Sequence, residues 1–182
     1  MKFLDSNLRL FDYYKSLGEK AMAQLPDDAL FYRRNEESNS IAIIVQHLWG
    51  NMLSRWTAFL TEDGEKDWRD RDSEFEESIR TREQLIDRWN AGWACLFDAL
   101  SPLQEADLER TVYIRNEGHS VMDAISRQVA HYAYHVGQIV LLAKEQKAGK
   151  WDSLSIPRNT SASYNAGKFS QEKGDRHFTE NS

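Results

Sequence analysis

Apolar residues recur at three- and four-residue spacing from about Phe3 to Leu25, through Leu4, Leu8, Phe11, Leu17 and Met22. That spacing keeps one face of an α-helix apolar and predicts a first helix, which Pro26 closes. IAIIVQHLWGNMLSRWTAFL repeats the period to about Leu60. It follows a polar EESNS in which Ser38, Asn39 or Ser40 can cap the free amides of a second helix. Gly50 weakens that helix slightly. A third runs from about Ser78 to Leu100 on Ile79, Leu85, Ile86, Trp89, Trp93, Leu96 and Phe97, and Ser101-Pro102 ends it. The fourth starts at Ser120, whose hydroxyl can reach a free amide while Asp123 sits near the positive helix end, and continues to about Lys147.

The segments between these helices read differently. Residues 61 to 77 are charged and show no apolar period, which predicts a long connection. TVYI followed by NEG predicts a short hairpin between Thr111 and Ser120. After Gly149 the composition shifts to Ser, Asn, Lys and Gly, so residues 151–182 read as an extended C-terminal tail, with WDSLSIP packing partly on the body. The expected architecture is all-α: a four-helix bundle over residues 1–150, with a long connection permitting a crossover, and the tail appended.

Composition narrows the function. A hydrophobic fraction of 41% in 182 residues, with 6 Trp, 7 Tyr and 8 Phe, suffices for a sizeable core in one domain. The net charge of -6, with dispersed basic residues, argues against a nucleic-acid partner. Asp5 and Arg9 interrupt any signal-peptide pattern at the N-terminus, and nothing later resembles a membrane span. A soluble cytoplasmic protein with no membrane partner is expected. Cys95, the single cysteine, lies among core-type residues and is expected to be a buried, inert thiol.

The candidate chemistry is carried by HYAYHVGQI, where His131 and His135 stand four residues apart. Four helical residues advance the direction by only ~40° beyond a full turn and the axis by ~6 Å, so both imidazoles can reach one ion. They fall at the edge of the apolar stripe of the fourth helix, beside Gln128, and His47 occupies the same edge on the second helix, one turn before Asn51. If those edges face each other, three imidazoles converge. Neutral imidazoles suit zinc, nickel, copper or ferrous iron, and a histidine-only set leaves coordination positions for substrate. The zincin pattern is excluded because Tyr132 follows the first histidine. The di-iron pattern is excluded because Gln128 and Tyr132 stand where its acids would be. The competing interpretation is that the three histidines satisfy core-edge hydrogen bonds or an interface. His119 is expected in an exposed loop and His177 solvated in the tail.

IAIIVQHLWGNMLSRW, RQVAHYAYHVGQIVLLAK and WDSLSIPRNTSASYN together resemble the DinB/YfiT-like superfamily of helical-bundle metalloproteins, within it a bacterial subfamily of unknown function. The resemblance spans about residues 3 to 165. It implies a down-up-up-down four-helix bundle, a divalent transition metal (zinc or nickel) on His47, His131 and His135, and a homodimer. Characterised relatives use low-molecular-weight thiols such as bacillithiol or mycothiol in transfer or isomerisation. Beside the trio, Gln138 is expected to pack or hydrogen-bond between helices, Asn51 is a candidate to orient a ligand or His47, and Arg158 is expected to lie on the surface unless the tail folds over the groove. Trp49 and Trp56 are expected in the core or a dimer contact. Two classes of function follow. One is a metal-dependent enzyme, a thiol S-transferase or hydrolase acting on a small molecule; the other is a non-catalytic metal-binding or stress-response interaction protein.

Overall fold

The computed structural model describes residues 2–181. Among the described residues the chain is mostly helical, with five α-helices and one two-stranded antiparallel sheet. Helix α1 spans Phe3–Met22, α2 Ile41–Trp56, α3 Arg82–Leu100, α4 Val121–Gln146 and α5 Ser161–Phe169. Strand β1 is Thr111–Ile114 and β2 is Glu117–Ser120.

Local chemistry sets the helix starts. The Ser40 hydroxyl accepts from the Ile43 amide at 3.2 Å, Thr81 from Gln84 at 3.2 Å, and Ser120 from Asp123 at 3.0 Å, each satisfying a free amide of the first turn. The cap at Thr81 starts α3 at Arg82, four residues later than the apolar spacing suggests, because Ile79 is buried from the extended segment before the helix. Similarly α2 stops at Trp56 instead of reaching Leu60. Thr57 is extended and Ala58 turns left-handed at φ 48°, so Phe59 reaches Trp56 from a turn, at 4.8 Å between ring centroids. The hairpin forms as expected, with Thr111 opposite Ser120 and Ile114 opposite Glu117. Positive φ at both Arg115 and Asn116 marks the two-residue turn that matches strand twist.

Side chains from all four long helices meet at one aromatic centre. Phe11 of α1 lies 6.3 Å from Trp56 of α2, 6.3 Å from Trp93 of α3 and 5.8 Å from Tyr132 of α4, measured between ring centroids. Trp56 donates its indole N–H to the Tyr132 hydroxyl at 3.0 Å, and that hydroxyl donates to Asn51 Oδ1 at 3.1 Å. The contacts also fix directions. Arg88 lies over Trp49, and the later Cys95 reaches the later Met52, so α2 and α3 run parallel. Phe11 meets Tyr132 and Gln24 meets Lys147, so α1 and α4 run parallel too. His47 faces His135 while Trp56 faces Tyr132, so α2 and α4 are antiparallel. Gly18 allows α1 to close on α3, since a Cβ there would stand 2.6 Å from the Trp89 ring.

The connection between α2 and α3 is anchored rather than loose. The Asp63 carboxylate accepts from the backbone amides of Glu65, Arg115 and Asn116 at 2.7 to 2.8 Å, and the Gly64 amide donates to Tyr113 O at 2.8 Å. This ties the connection to the hairpin turn. A short 3-10 turn at Asp72–Phe75 then packs on α2, where Gln46 Nε2 donates to Ser73 O at 2.7 Å. Beyond α4, Gln24 exchanges two hydrogen bonds with the backbone of Asp152, and Trp151 and Leu154 pack on the core. Within residues 151–182 the sequence leads to no helix, yet α5 forms there, with mostly exposed residues. No helix among the described residues is long and apolar enough to cross a membrane.

Candidate metal centre

Helix α4 buries Tyr132, Val136 and Ile139, which leaves His131 and His135 half-buried on the edge of that stripe. Across from them α2 presents His47, only 5% exposed. The three imidazoles meet. His47 Nε2 lies 3.4 Å from His131 Nε2, His135 Nε2 lies 3.1 Å from His131 Nε2, and one nitrogen from each ring falls within 4.8 Å of the others.

Each ring is aimed from behind. His47 Nδ1–H donates to Glu74 Oε2 at 2.9 Å, His131 Nδ1–H to Gln128 Oε1 at 3.2 Å, and His135 Nδ1–H to Gln138 Oε1 at 3.0 Å. Glu74 is itself 5% exposed and gripped on both oxygens by Arg69, at 2.7 and 2.9 Å. Burial alone would raise its pKa, but the bonds from His47 and Arg69 outweigh it and hold Glu74 below the usual carboxylate range. An ionised carboxylate only accepts, so Nδ1 of His47 carries a proton and Nε2 is the nitrogen turned inward. Phe75, in the same 3-10 turn, stacks on the His47 ring at 5.0 Å.

Burial, reinforced by the neighbouring imidazoles, lowers His131 to about 3 and His135 to about 4. Both are therefore neutral near pH 7. With each Nδ1 directed at an oxygen, the neutral rings of His131 and His135 turn Nε2 lone pairs inward beside Nε2 of His47. A cation among nitrogens this close removes the repulsion between their lone pairs. Nitrogens at ~2.0–2.1 Å around a tetrahedral ion are themselves ~3.3–3.4 Å apart, close to the 3.4 and 3.1 Å that separate His131 Nε2 from His47 and His135. The residues present thus suit a divalent metal, with oxygen partners on the outer ring nitrogens as ligating imidazoles require.

The trio opens into a groove of about 440 Å³. Asn51 lines it, but its oxygen accepts from Tyr132 instead of orienting His47. Gln138 serves His135 within its own helix and makes no bond between helices. Trp56 is in the core as expected, whereas Trp49 is half-buried under the Arg88 guanidinium, 4.6 Å from the ring centroid. Arg158 is exposed on the tail and does not line the groove. Cys95 is half-buried elsewhere, and burial raises its pKa, which keeps it a thiol.

Two histidines depart from expectation. His119 is half-exposed on β2, outside the trio, with its Nε2 buried. His177 is not solvated but 8% exposed, because the tail returns to α1 and pairs its ring with Ser6 and Thr179. Glu74, Arg69 and Phe75 escape the sequence reading because they lie in the connection that shows no period. The signal available was Gly50: a Cβ there would stand 2.7 Å from Glu74 Cδ, so the glycine admits the carboxylate that holds His47.

Residues 1–160 match a family model described as "Protein of unknown function (DUF1572)". No curated protein and no solved structure matches the chain.

Proposed function

The chain belongs to the DUF1572 family, and from that premise we propose that it is a divalent-metal-dependent enzyme whose ion sits on Nε2 of His47, His131 and His135. One observation carries this reading: one nitrogen from each ring lies within 4.8 Å of the others while each Nδ1 is bonded to Glu74, Gln128 or Gln138. Zinc or nickel suits three neutral imidazoles. Such an ion, when bound, supplies Lewis acidity that brings a coordinated water or thiol toward ionisation at neutral pH.

The chain's own residues contribute orientation and access. Glu74, held by Arg69, fixes the His47 tautomer; Gln128 and Gln138 do the same on α4; Phe75 limits rotation of His47 by stacking. The groove leaves the inner face of the trio open to a small molecule. The preferred reaction is transfer of a low-molecular-weight thiol: the S–H proton passes to solvent, sulfur bonds to an electrophilic carbon, and the bond from that carbon to its leaving group breaks with the electron pair going to the leaving group. Support for this comes from the resemblance of α2 and α4 to the DinB/YfiT-like superfamily. The parallel α1/α4 and α2/α3 pairs agree with its down-up-up-down four-helix bundle. On the same reading residues 1–150 form the metal-binding domain with 151–182 as an appended tail, and the protein is a cytoplasmic homodimer.

A second reading, a non-catalytic metal-binding or stress-response interaction protein, is favoured by one observation. Glu74 is committed to His47 and Arg69, and no carboxylate lines the groove as a general base. Elemental analysis of untagged protein tests the shared premise: wild type should hold one ion per chain, and His131→Ala and His135→Ala should hold none. Incubation of the metal-loaded chain with bacillithiol or glutathione and monochlorobimane then separates the readings. A rate no higher than that of His47→Ala, with metal removal greatly lowering Tm, favours the non-catalytic one.

A further inference from the structure

Five arginines line the groove above the trio, and no aspartate or glutamate does. In a chain of net charge -6, such a concentration runs against the background. Arg55, Arg69 and Arg115 share the Glu65 carboxylate, and Arg69 also holds Glu74. Two acids therefore serve three guanidiniums. Arg71 and Arg127 have no ion-pair partner among the described residues, although both line the groove. Arg71 is nevertheless placed: its guanidinium lies 5.2 Å from the Phe75 ring centroid, and Phe75 stacks on His47. Arg127 stands one helical turn before His131 on α4.

Gathering like charges around a groove costs free energy unless something of opposite sign enters it. We propose that the substrate of this centre carries an oxyanion, a carboxylate or a phosphate, which Arg71 and Arg127 hold at the mouth while the remainder reaches the histidines. The guanidinium fork matches both oxyanions with two parallel N–H···O bonds, and its stacking on Phe75 fixes one fork before the ligand arrives. The local positive field also draws anions toward a protein that elsewhere repels them. This inference deepens the proposed metal enzyme and rests on it for the role of the histidines, but the arginine clamp itself requires no ion.

Calorimetric titration of the zinc-loaded full chain at pH 7 and low salt tests it, with succinate, inorganic phosphate and the uncharged succinamide as probes. Succinate or phosphate should bind saturably, the tighter one naming the oxyanion, and succinamide should not. Added salt should weaken binding. Arg71→Ala/Arg127→Ala should weaken it about tenfold or more, the scale of a lost charge-assisted pair, while Arg158→Ala, which removes a charge outside the groove, leaves it unchanged. Because Arg71 and Arg127 are exposed, the double variant should fold, which circular dichroism verifies. Equal binding of succinamide, or an unaltered double variant, overturns the proposal. The same titration on metal-free chain distinguishes the two failures. If the chain takes up no metal yet binds the anion through the arginines, only the metal reading falls. If it takes up metal and the anions ignore the arginines, only the clamp falls.

Discussion

Two buried histidine environments in this chain differ in one respect. His177 sits against α1 with both ring nitrogens beside hydroxyls, Thr179 Oγ1 at 2.7 Å and Ser6 Oγ at 3.3 Å. A hydroxyl can donate or accept, so that ring is satisfied in either tautomer. In the trio only the outer nitrogens are satisfied, and the inner ones face each other. Burial by itself is therefore no sign of function. What distinguishes the trio is the crowding of three ring nitrogens, held in place by Glu74, Gln128 and Gln138, in the spacing a metal ion can use.

The largest effect expected from breaking this contrast is on metal content. His131→Ala should fall to background in elemental analysis, whereas His177→Ala should keep the wild-type amount. Next come the residues behind the three imidazoles. Glu74→Gln should weaken zinc about 10–100-fold in competition with a chromophoric chelator, the usual range for a lost outer-shell partner. Gly50→Ala should give a loss of the same order, since its Cβ would displace the Glu74 carboxylate, and retention of helical circular dichroism would separate this from unfolding.

A smaller effect concerns pH. In the metal-free chain His131 and His135 protonate only at about 3 and about 4, whereas the unfolded chain protonates near 6.5. Between those limits the unfolded state binds more protons, so stability is full above pH 6.5 and declines as pH falls. Urea midpoints for the metal-free chain should be lower at pH 5 than at pH 7, and His131→Ala should reduce the difference. Smallest is His177→Ala itself, which removes the pairing with Ser6 and should cost about 0.5–1.5 kcal/mol in urea unfolding.

The sequence made the contrast only half visible. His47, His131 and His135 were legible because helical period alone puts them on stripe edges, and the cap at Ser120 and the hairpin between Thr111 and Ser120 followed from local chemistry, although the turn falls on Arg115-Asn116 and Glu117 and Gly118 of NEG belong to β2. Glu74 was not legible, since its contact with His47 spans 27 positions through a segment without period. His177 was hidden for the same reason, as its partner Ser6 lies 171 positions away. The end of α2 was misplaced because Phe59 keeps the apolar spacing although Ala58 has already left the helix. Helix α5 buries no residue, so no stripe announces it.

X-ray absorption of the zinc-loaded chain puts the central claim to its most direct test. Three imidazole nitrogens at ~2.0–2.1 Å around one ion are expected, with one of them missing in His47→Ala. A site with fewer imidazoles, or a spectrum indifferent to that substitution, would contradict it.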